Sequence, residues 1–204
     1  MEKTLENCPY AALIIPESFV KARLFHNRIY AFISIPFKIF DDTEYPVCLS
    51  LFVPEEAKRG LKLKKNDFLV FSGNEYLGNY QSFLRELIYE GKEIQWRFND
   101  PLGEVALSCV DGIKEPSVSF KTGEEEARPI LPTCRSFTRI GGLPKGVDLK
   151  EFVALCNIEL AEYRKKTSDI FMAAFKGLRK DGRYRRRLDF ADARMIMNRA
   201  AKKI

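Results

Sequence analysis

The feature that most limits what this chain can fold into is a change of hydrophobic period near residue 148. Upstream, apolar residues alternate in short runs rich in β-branched and aromatic side chains; downstream they recur every three or four residues. A period of two suits a half-buried strand and a period near 3.6 an amphipathic helix, so the two parts cannot share one kind of secondary structure. The expected class is α+β. It comprises a small β-barrel over residues 1–112, a Pro/Gly-rich linker or excursion over 113–147, and a basic helical unit of about three helices over 148–204.

Residues 29–40 are rich in Ile, Phe and Tyr and are broken by Pro36, which predicts an edge strand or a bend, with Phe37 and Ile39 flanking an outward Lys38. Asp41-Asp42-Thr43-Glu44 reads as a turn and 45–53 as a strand. Residues 54–60 read as one helical turn, with Pro first, acids next, then bases and a closing Gly. Lys64-Lys65-Asn66-Asp67 is a polar turn before a buried strand at 68–71 that halts at Gly73. Residues 82–89 suit helix or strand. Glu90-Gly91-Lys92 is a tight turn leading into 94–98, and a loop at 99–103 precedes a strand at 104–110. Inside 113–147, residues 117–121 and 137–140 could instead pair as extra strands.

Downstream, Asp148 with Glu151 makes a capping-box pattern, and Leu149, Phe152, Val153, Cys156, Leu160 and Tyr163 line one face of a helix to about Lys166. A second helix is expected from Thr167 or Ser168 to near Gly182, with Ile170, Phe171, Ala174 and Leu178 inward. A third follows Leu188 or Asp189, with Phe190, Ala193, Met197, Ala200 and Ile204 on one face.

Charge is concentrated in this part. Residues 176–204 hold 11 basic residues against three acids, a net of +8, which leaves −2 for residues 1–175 of the whole-chain +6. A dense stripe of Lys and Arg is the electrostatic footprint of a polyanion, because each phosphate neutralised releases a condensed counterion. The competing reading is a solvated segment whose arginines pair with acids of the body. The run Arg183-Tyr184-Arg185-Arg186-Arg187, with Arg179 and Lys180 just before it, is the sharpest feature: guanidiniums to grip phosphates around a ring that could stack on a base.

Aromatic residues are dense between 71 and 98. Seven of these 28 residues are Phe71, Tyr76, Tyr80, Phe83, Tyr89, Trp96 and Phe98, about twice the chain's 12%. Exposed rings would stack bases, with Arg85, Lys92 and Arg97 interleaved to meet phosphates; the alternative is that the rings fill a small core.

Enzyme chemistry finds little foothold. Neither a phosphate-binding loop nor a nucleophile elbow is present. His26 is the only histidine, and flanking Phe25 and Arg28 mark it as a strand or turn residue. The five cysteines, Cys8, Cys48, Cys109, Cys134 and Cys156, are at least 22 residues apart, which fits free thiols rather than a disulfide or metal framework. No metal, cofactor or catalytic residue is expected. The apolar stretch at 11–15 stops at Pro16, too short for a signal peptide or a span, so a cytoplasmic protein without membrane contact is expected.

Residues 45–110 also carry a resemblance. A strand (Tyr45 onward) is followed by the 54–60 helical turn, the Lys64-Lys65-Asn66-Asp67 turn, a strand ending at Gly73, and a hairpin at Glu90-Gly91-Lys92 bearing Trp96. This order resembles the OB-fold barrels of the single-stranded DNA-binding protein family. The resemblance implies an OB-like barrel with Trp96, Phe98, Tyr89 and Tyr80 as stacking residues. That family's acidic, apolar-tipped tail is missing here, and an arginine-rich unit stands in its place.

The expected function is non-enzymatic binding of nucleic acid, single-stranded DNA or RNA before duplex. The binding set is Arg179, Lys180, Arg183, Tyr184, Arg185, Arg186 and Arg187 with Trp96, Arg97, Phe98, Tyr89, Tyr80, Lys64 and Lys65. The alternative is a structural or adaptor protein whose basic helices dock on an acidic protein or nucleoprotein assembly, with a protein partner or a second copy of the chain as the expected associate.

Overall fold

The structure, a computed structural model, describes residues 1–40, 44–87, 94–125 and 136–204, and leaves aside the side chains of 85–87. Helix α1 (Glu2–Asn7) leads into β1 (Ala11–Pro16), a 3-10 turn (Glu17–Val20), β2 (Ile29–Ile35), β3 (Val47–Phe52) and α2 (Glu55–Gly60). Next come β4 (Leu69–Ser72), β5 (Glu75–Asn79), α3 (Tyr80–Leu87), β6 (Arg97–Phe98), β7 (Val105–Ser108), β8 (Ser119–Thr122) and β9 (Phe137–Gly141). The chain ends with α4 (Leu149–Thr167), β10 (Ala173–Leu178), β11 (Tyr184–Arg187) and α5 (Phe190–Ala201).

Five strands form one sheet in the order β1-β3-β2-β4-β5. β3 runs back antiparallel to β2, and the chain then crosses through α2 to lay β4 on the other edge of β2. Two reversals make β2 and β4 parallel, pairing Ala31 with Leu69 and Ser34 with Ser72. Side chains alternate as a half-buried sheet requires, so Cys48, Ser50 and Phe52 of β3 point inward. The sheet is open: among the described residues β1 and β5 remain its two edges. The expected barrel is therefore corrected. The strand at 104–110 that was to complete it pairs instead with β8 and β9, building a second, antiparallel sheet in the order β6-β9-β7-β8.

Residues 113–147 accordingly supply two strands of that sheet rather than serving only as a linker. The residues between them, 126–135, lie outside the described set, as do residues 41–43 of the expected turn at 41–44 and the whole of the expected turn at 90–92. The open edge of β8 is covered by one side chain: the Asn157 amide donates to the Phe120 carbonyl and accepts from its N–H, each at 2.9 Å. An Asn side chain of α4 thus does for β8 what another strand would, and blocks edge pairing.

Helices α4 and α5 start where the sequence places them. Asp148 and Asp189 accept at Oδ1 from the amides of Glu151 (2.8 Å) and Asp192 (2.9 Å), satisfying first-turn donors. The helix expected between them is a β-hairpin instead. Ser168 and Asp169 adopt left-handed φ of 47° and 63°, which stops α4, and Gly182 at φ +78° closes the turn between β10 and β11. Tertiary pairing decides this against the helix-favouring Ala173 and Ala174. One edge of β11 bonds to β10. The other is shared by two segments far apart in sequence, with the Tyr184 amide donating to the Pro36 carbonyl at 3.4 Å, Asp111 to Arg186 at 2.9 Å and Leu188 to Cys109 at 2.8 Å.

One hydrophobic core crosses the boundaries expected at 112 and 148. It joins Phe32 and Phe52 of the first sheet, Leu107 and Ile140 of the second, Phe152 and Leu160 of α4, and Met197 of α5. Trp96 locks these layers together. Its ring stacks on Phe152 at 5.5 Å, and its Nε1 donates to Asn198 Oδ1 at 2.7 Å. No helix among the described residues is long and apolar enough to cross a membrane.

Candidate nucleic-acid interface

The arginine run is a strand, and a strand sends alternate side chains to opposite faces. Tyr184 and Arg186 therefore point inward, while Arg183, Arg185 and Arg187 share the other face. The inward pair belongs to the core. Tyr184 is 1% exposed. Arg186 is buried against Glu17: its Nη1 donates to Oε2 and its Nη2 to Oε1 (3.2 Å), while Ser34 Oγ also donates to Glu17. Arg179, at the base of the turn, is likewise spent. Its guanidinium donates to Asp181 Oδ2 at 2.7 Å and to Asp111 Oδ2 at 3.4 Å.

Asp111 is the hub of this polar interior. Fully buried, it accepts two hydrogen bonds from Arg164 (2.8 and 2.9 Å) and one from the Ser117 amide at 3.1 Å. Burial by itself would raise its carboxyl, but the Arg164 hydrogen bonds and charge and the backbone amides of Ser117 and Val118 outweigh it and hold it below the usual carboxylate range. In the sequence Asp111-Gly112 does no more than close the strand at 104–110. Nothing local marked it as the anchor of two arginines from residues 164 and 179.

The outward arginines lie on aromatic and apolar neighbours. Arg183 stands 5.5 Å over the Phe37 ring and Arg185 4.9 Å over Phe175, and Arg185 Nε donates to the Asp111 carbonyl at 2.8 Å. Arg187 bridges to Val110, and its Nε is buried without a partner among the described residues. Successive members of this row are two strand residues apart, about 6.8 Å. Lys180 and Lys38 are exposed nearby, the Lys180 amide being held by the Ile113 carbonyl at 2.7 Å. Beside Arg185 opens a cleft of about 560 Å³, lined by Ser108, Ser117, Ser119, Ser136 and Lys121.

No family model, curated protein or solved structure matches this chain. The hairpin and its surroundings therefore stand on their own chemistry.

The expected binding residues divide. Arg183, Lys180, Arg185 and Arg187 come together on the hairpin. Trp96 (5% exposed) and Tyr80 (3%) are enclosed in the core, as Tyr184 is, so no ring face remains for a base; Arg186 and Arg179 are neutralised by carboxylates. These five positions are corrected from contact residues to structural ones. Arg97 is exposed on β6 and pairs with Asp100 at 2.9 Å, and Phe98 is half-buried, stacked on Phe190 at 4.5 Å with the Arg194 guanidinium 5.3 Å from its ring centre. Lys64 and Lys65 are exposed in the loop before β4, Lys65 lying 3.6 Å from Glu55. Tyr89 lies outside the described residues.

The sequence reading missed the aromatic part of the surface. Phe37 (47% exposed), Ile39, Phe40 and Tyr45 are all open to solvent, where Phe37 and Ile39 were expected to face inward. β2 ends at Ile35, before Pro36, so the alternation does not carry through the proline. The available signal was an apolar run continuing past a strand-ending Pro.

Proposed function

We propose that the chain binds single-stranded nucleic acid, without catalysis, through the outward face of the β10–β11 hairpin. The observation that carries the reading is the alternating row Arg183, Arg185, Arg187 on one face, flanked by the exposed ring of Phe37. Evenly spaced guanidiniums on a rigid strand suit successive phosphates of an extended backbone, and exposed rings beside them suit unpaired bases. Phe40, Tyr45, Lys38 and Lys180 extend the same chemistry. On this reading contact runs through the hairpin rather than through the buried Trp96 and Tyr80.

The test is fluorescence anisotropy on a labelled oligonucleotide across a salt series. Replacing Arg183, Arg185 and Arg187 together by Ala lowers the log–log salt slope by roughly 2, at about 0.7 per phosphate contact on a single strand. An unchanged slope removes the hairpin from the interface.

A second reading, an adaptor that docks on a protein, draws on one observation: Ile39, Phe40 and Tyr45 are each exposed, and phosphate contact has no need of apolar side chains. A protein that shows no oligonucleotide binding at low salt and elutes as a defined oligomer favours it.

A further inference from the structure

Strand β1 lies at the edge of the five-stranded sheet, and its pairing with β3 is regular from Ala11 opposite Phe52 to Pro16 opposite Val47. The ladder runs one step further, where the Glu17 amide donates to the Pro46 carbonyl across from it at 3.0 Å. In an antiparallel ladder, hydrogen-bonded pairs alternate with non-bonded ones. Counted back from Glu17, the residues bonded to β3 are Ile15, Leu13 and Ala11. The N–H and C=O groups of Ala12 and Ile14 therefore point away from the sheet, and among the described residues no hydrogen bond reaches them.

The side chains follow the same alternation. Ala12 and Ile14 (53% exposed) stand on the solvent face, while Ala11, Leu13 and Ile15 pack on the core yet stay only half-buried. No charged residue lies between Glu6 and Glu17, and Glu17 is already held by Arg186. An open strand edge is a template for pairing, and sheets blunt it with charge, irregularity or cover. The other outer strands here are blunted in these ways. β5 begins at exposed Glu75 and slips register opposite Val70 and Phe71, and β6 has only two residues. β8 is sealed by Asn157, and β10 carries exposed Lys176 and slips register between Ala174 and Leu178. β1 is regular and uncharged, with a proline only at its last position.

We propose that the β1 edge pairs antiparallel with β1 of a second copy of the chain, about a two-fold axis through Leu13, so that the two sheets run on as one. In this register Ala12 of each copy faces Ile14 of the other, and the pair exchanges N–H···O bonds in both directions. Leu13 meets Leu13 as a close non-bonded pair and Ala11 meets Ile15, which covers the half-buried apolar side of each strand. A second copy fits because an uncharged edge meets itself with no like charges opposed, although the whole chain carries +6. Pro16 sets the register: an axis through Ile14 would place its missing N–H against Ala12, whereas an axis through Leu13 leaves it outside the segment 11–15. A two-fold contact closes on itself, so the assembly stops at a dimer. The seam contains none of Arg183, Arg185 and Arg187 and does not depend on the nucleic-acid reading.

Sedimentation velocity of the full chain tests this. One strand pair is a small contact, so a reversible dimer is expected to form over about 1–100 µM. Ala12→Lys with Ile14→Lys alters two exposed side chains and sets cations across the seam. It is expected to raise the dimer Kd about 10-fold or more and to leave the urea midpoint unchanged. Ala12→Glu with Ile14→Glu acts alike, and an equimolar mixture of the two double variants recovers the dimer, which a misfolded edge would not do. Leu13→Cys in a Cys8→Ser background crosslinks on mild oxidation, because the two-fold sets the paired Cα atoms about 4.5 Å apart. A chain that stays monomeric throughout the range overturns the proposal. So does a dimer that the lysine variant leaves intact and that Leu13→Cys fails to trap.

Discussion

Arg186 and Glu17, 169 residues apart in the chain, form a buried ion pair that ties β11 to the turn after β1. With Ser34 also donating to Glu17, every charge in this contact is compensated. Removing one partner of such a pair leaves an uncompensated buried charge. Arg186→Met is therefore expected to cost roughly 3–5 kcal/mol in urea unfolding, while Glu17→Gln with Arg186→Met recovers much of that loss. A single variant as stable as the parent contradicts the pair.

Trp96 is the only tryptophan, and its burial makes it a reporter of the core rather than of a ligand. The native protein is expected to show blue-shifted emission that acrylamide quenches poorly and that saturating oligonucleotide leaves unchanged. Quenching by the oligonucleotide would return Trp96 to the interface.

Phe37 is half exposed and carries Arg183, so its removal tests contact without disturbing the core. Phe37→Ser is expected to weaken oligonucleotide binding by about 1–3 kcal/mol, and to change unfolding stability by no more than about 0.5 kcal/mol. Equal affinity for the two proteins by anisotropy counts against stacking there.

Burial, opposed by the hydrogen bond to Val20 and assisted by the charges of Lys58 and Arg23, lowers the His26 pKa from 6.5 to about 4. Below pH 6.5 the unfolded chain takes up a proton that the native state refuses, so stability falls as pH drops from 6.5 towards 4, by roughly 2–3 kcal/mol. Asp192 acts in the opposite sense, since burial pushes its carboxyl up to about 6. The difference between the parent and His26→Phe in urea midpoints across pH isolates the histidine. A difference that does not vary between pH 7.5 and 4 contradicts a neutral buried imidazole.

The thiols separate by environment. Burial pushes Cys48 up to about 12 and raises Cys156 further, whereas Cys8 is exposed. Since the thiolate is the nucleophile, iodoacetamide at pH 8 followed by peptide mass analysis is expected to modify Cys8 quickly and Cys48 and Cys156 only in denaturant. Native labelling of Cys156 at the rate of Cys8 would mean that α4 does not pack as described.

Helices α4 and α5 were legible because their causes are local. A capping Asp and a 3.6-residue apolar period need only a dozen neighbouring residues to act, and Phe152, Cys156, Leu160 and Met197 are buried as that period requires. The turn chemistry at 54–60 and the concentration of charge after residue 176 are local too, and both are present in the structure. What lay beyond the sequence is pairing. The segment 173–187 becomes a hairpin because β11 finds Pro36 on one side of its edge and Cys109 to Asp111 on the other, partners that only a folded chain brings together. That pairing then sorted the arginine run. Strand alternation sent Arg186 to Glu17 and left Arg183, Arg185 and Arg187 outward, so long-range hydrogen bonds decided which arginine is tied into the interior and which face out.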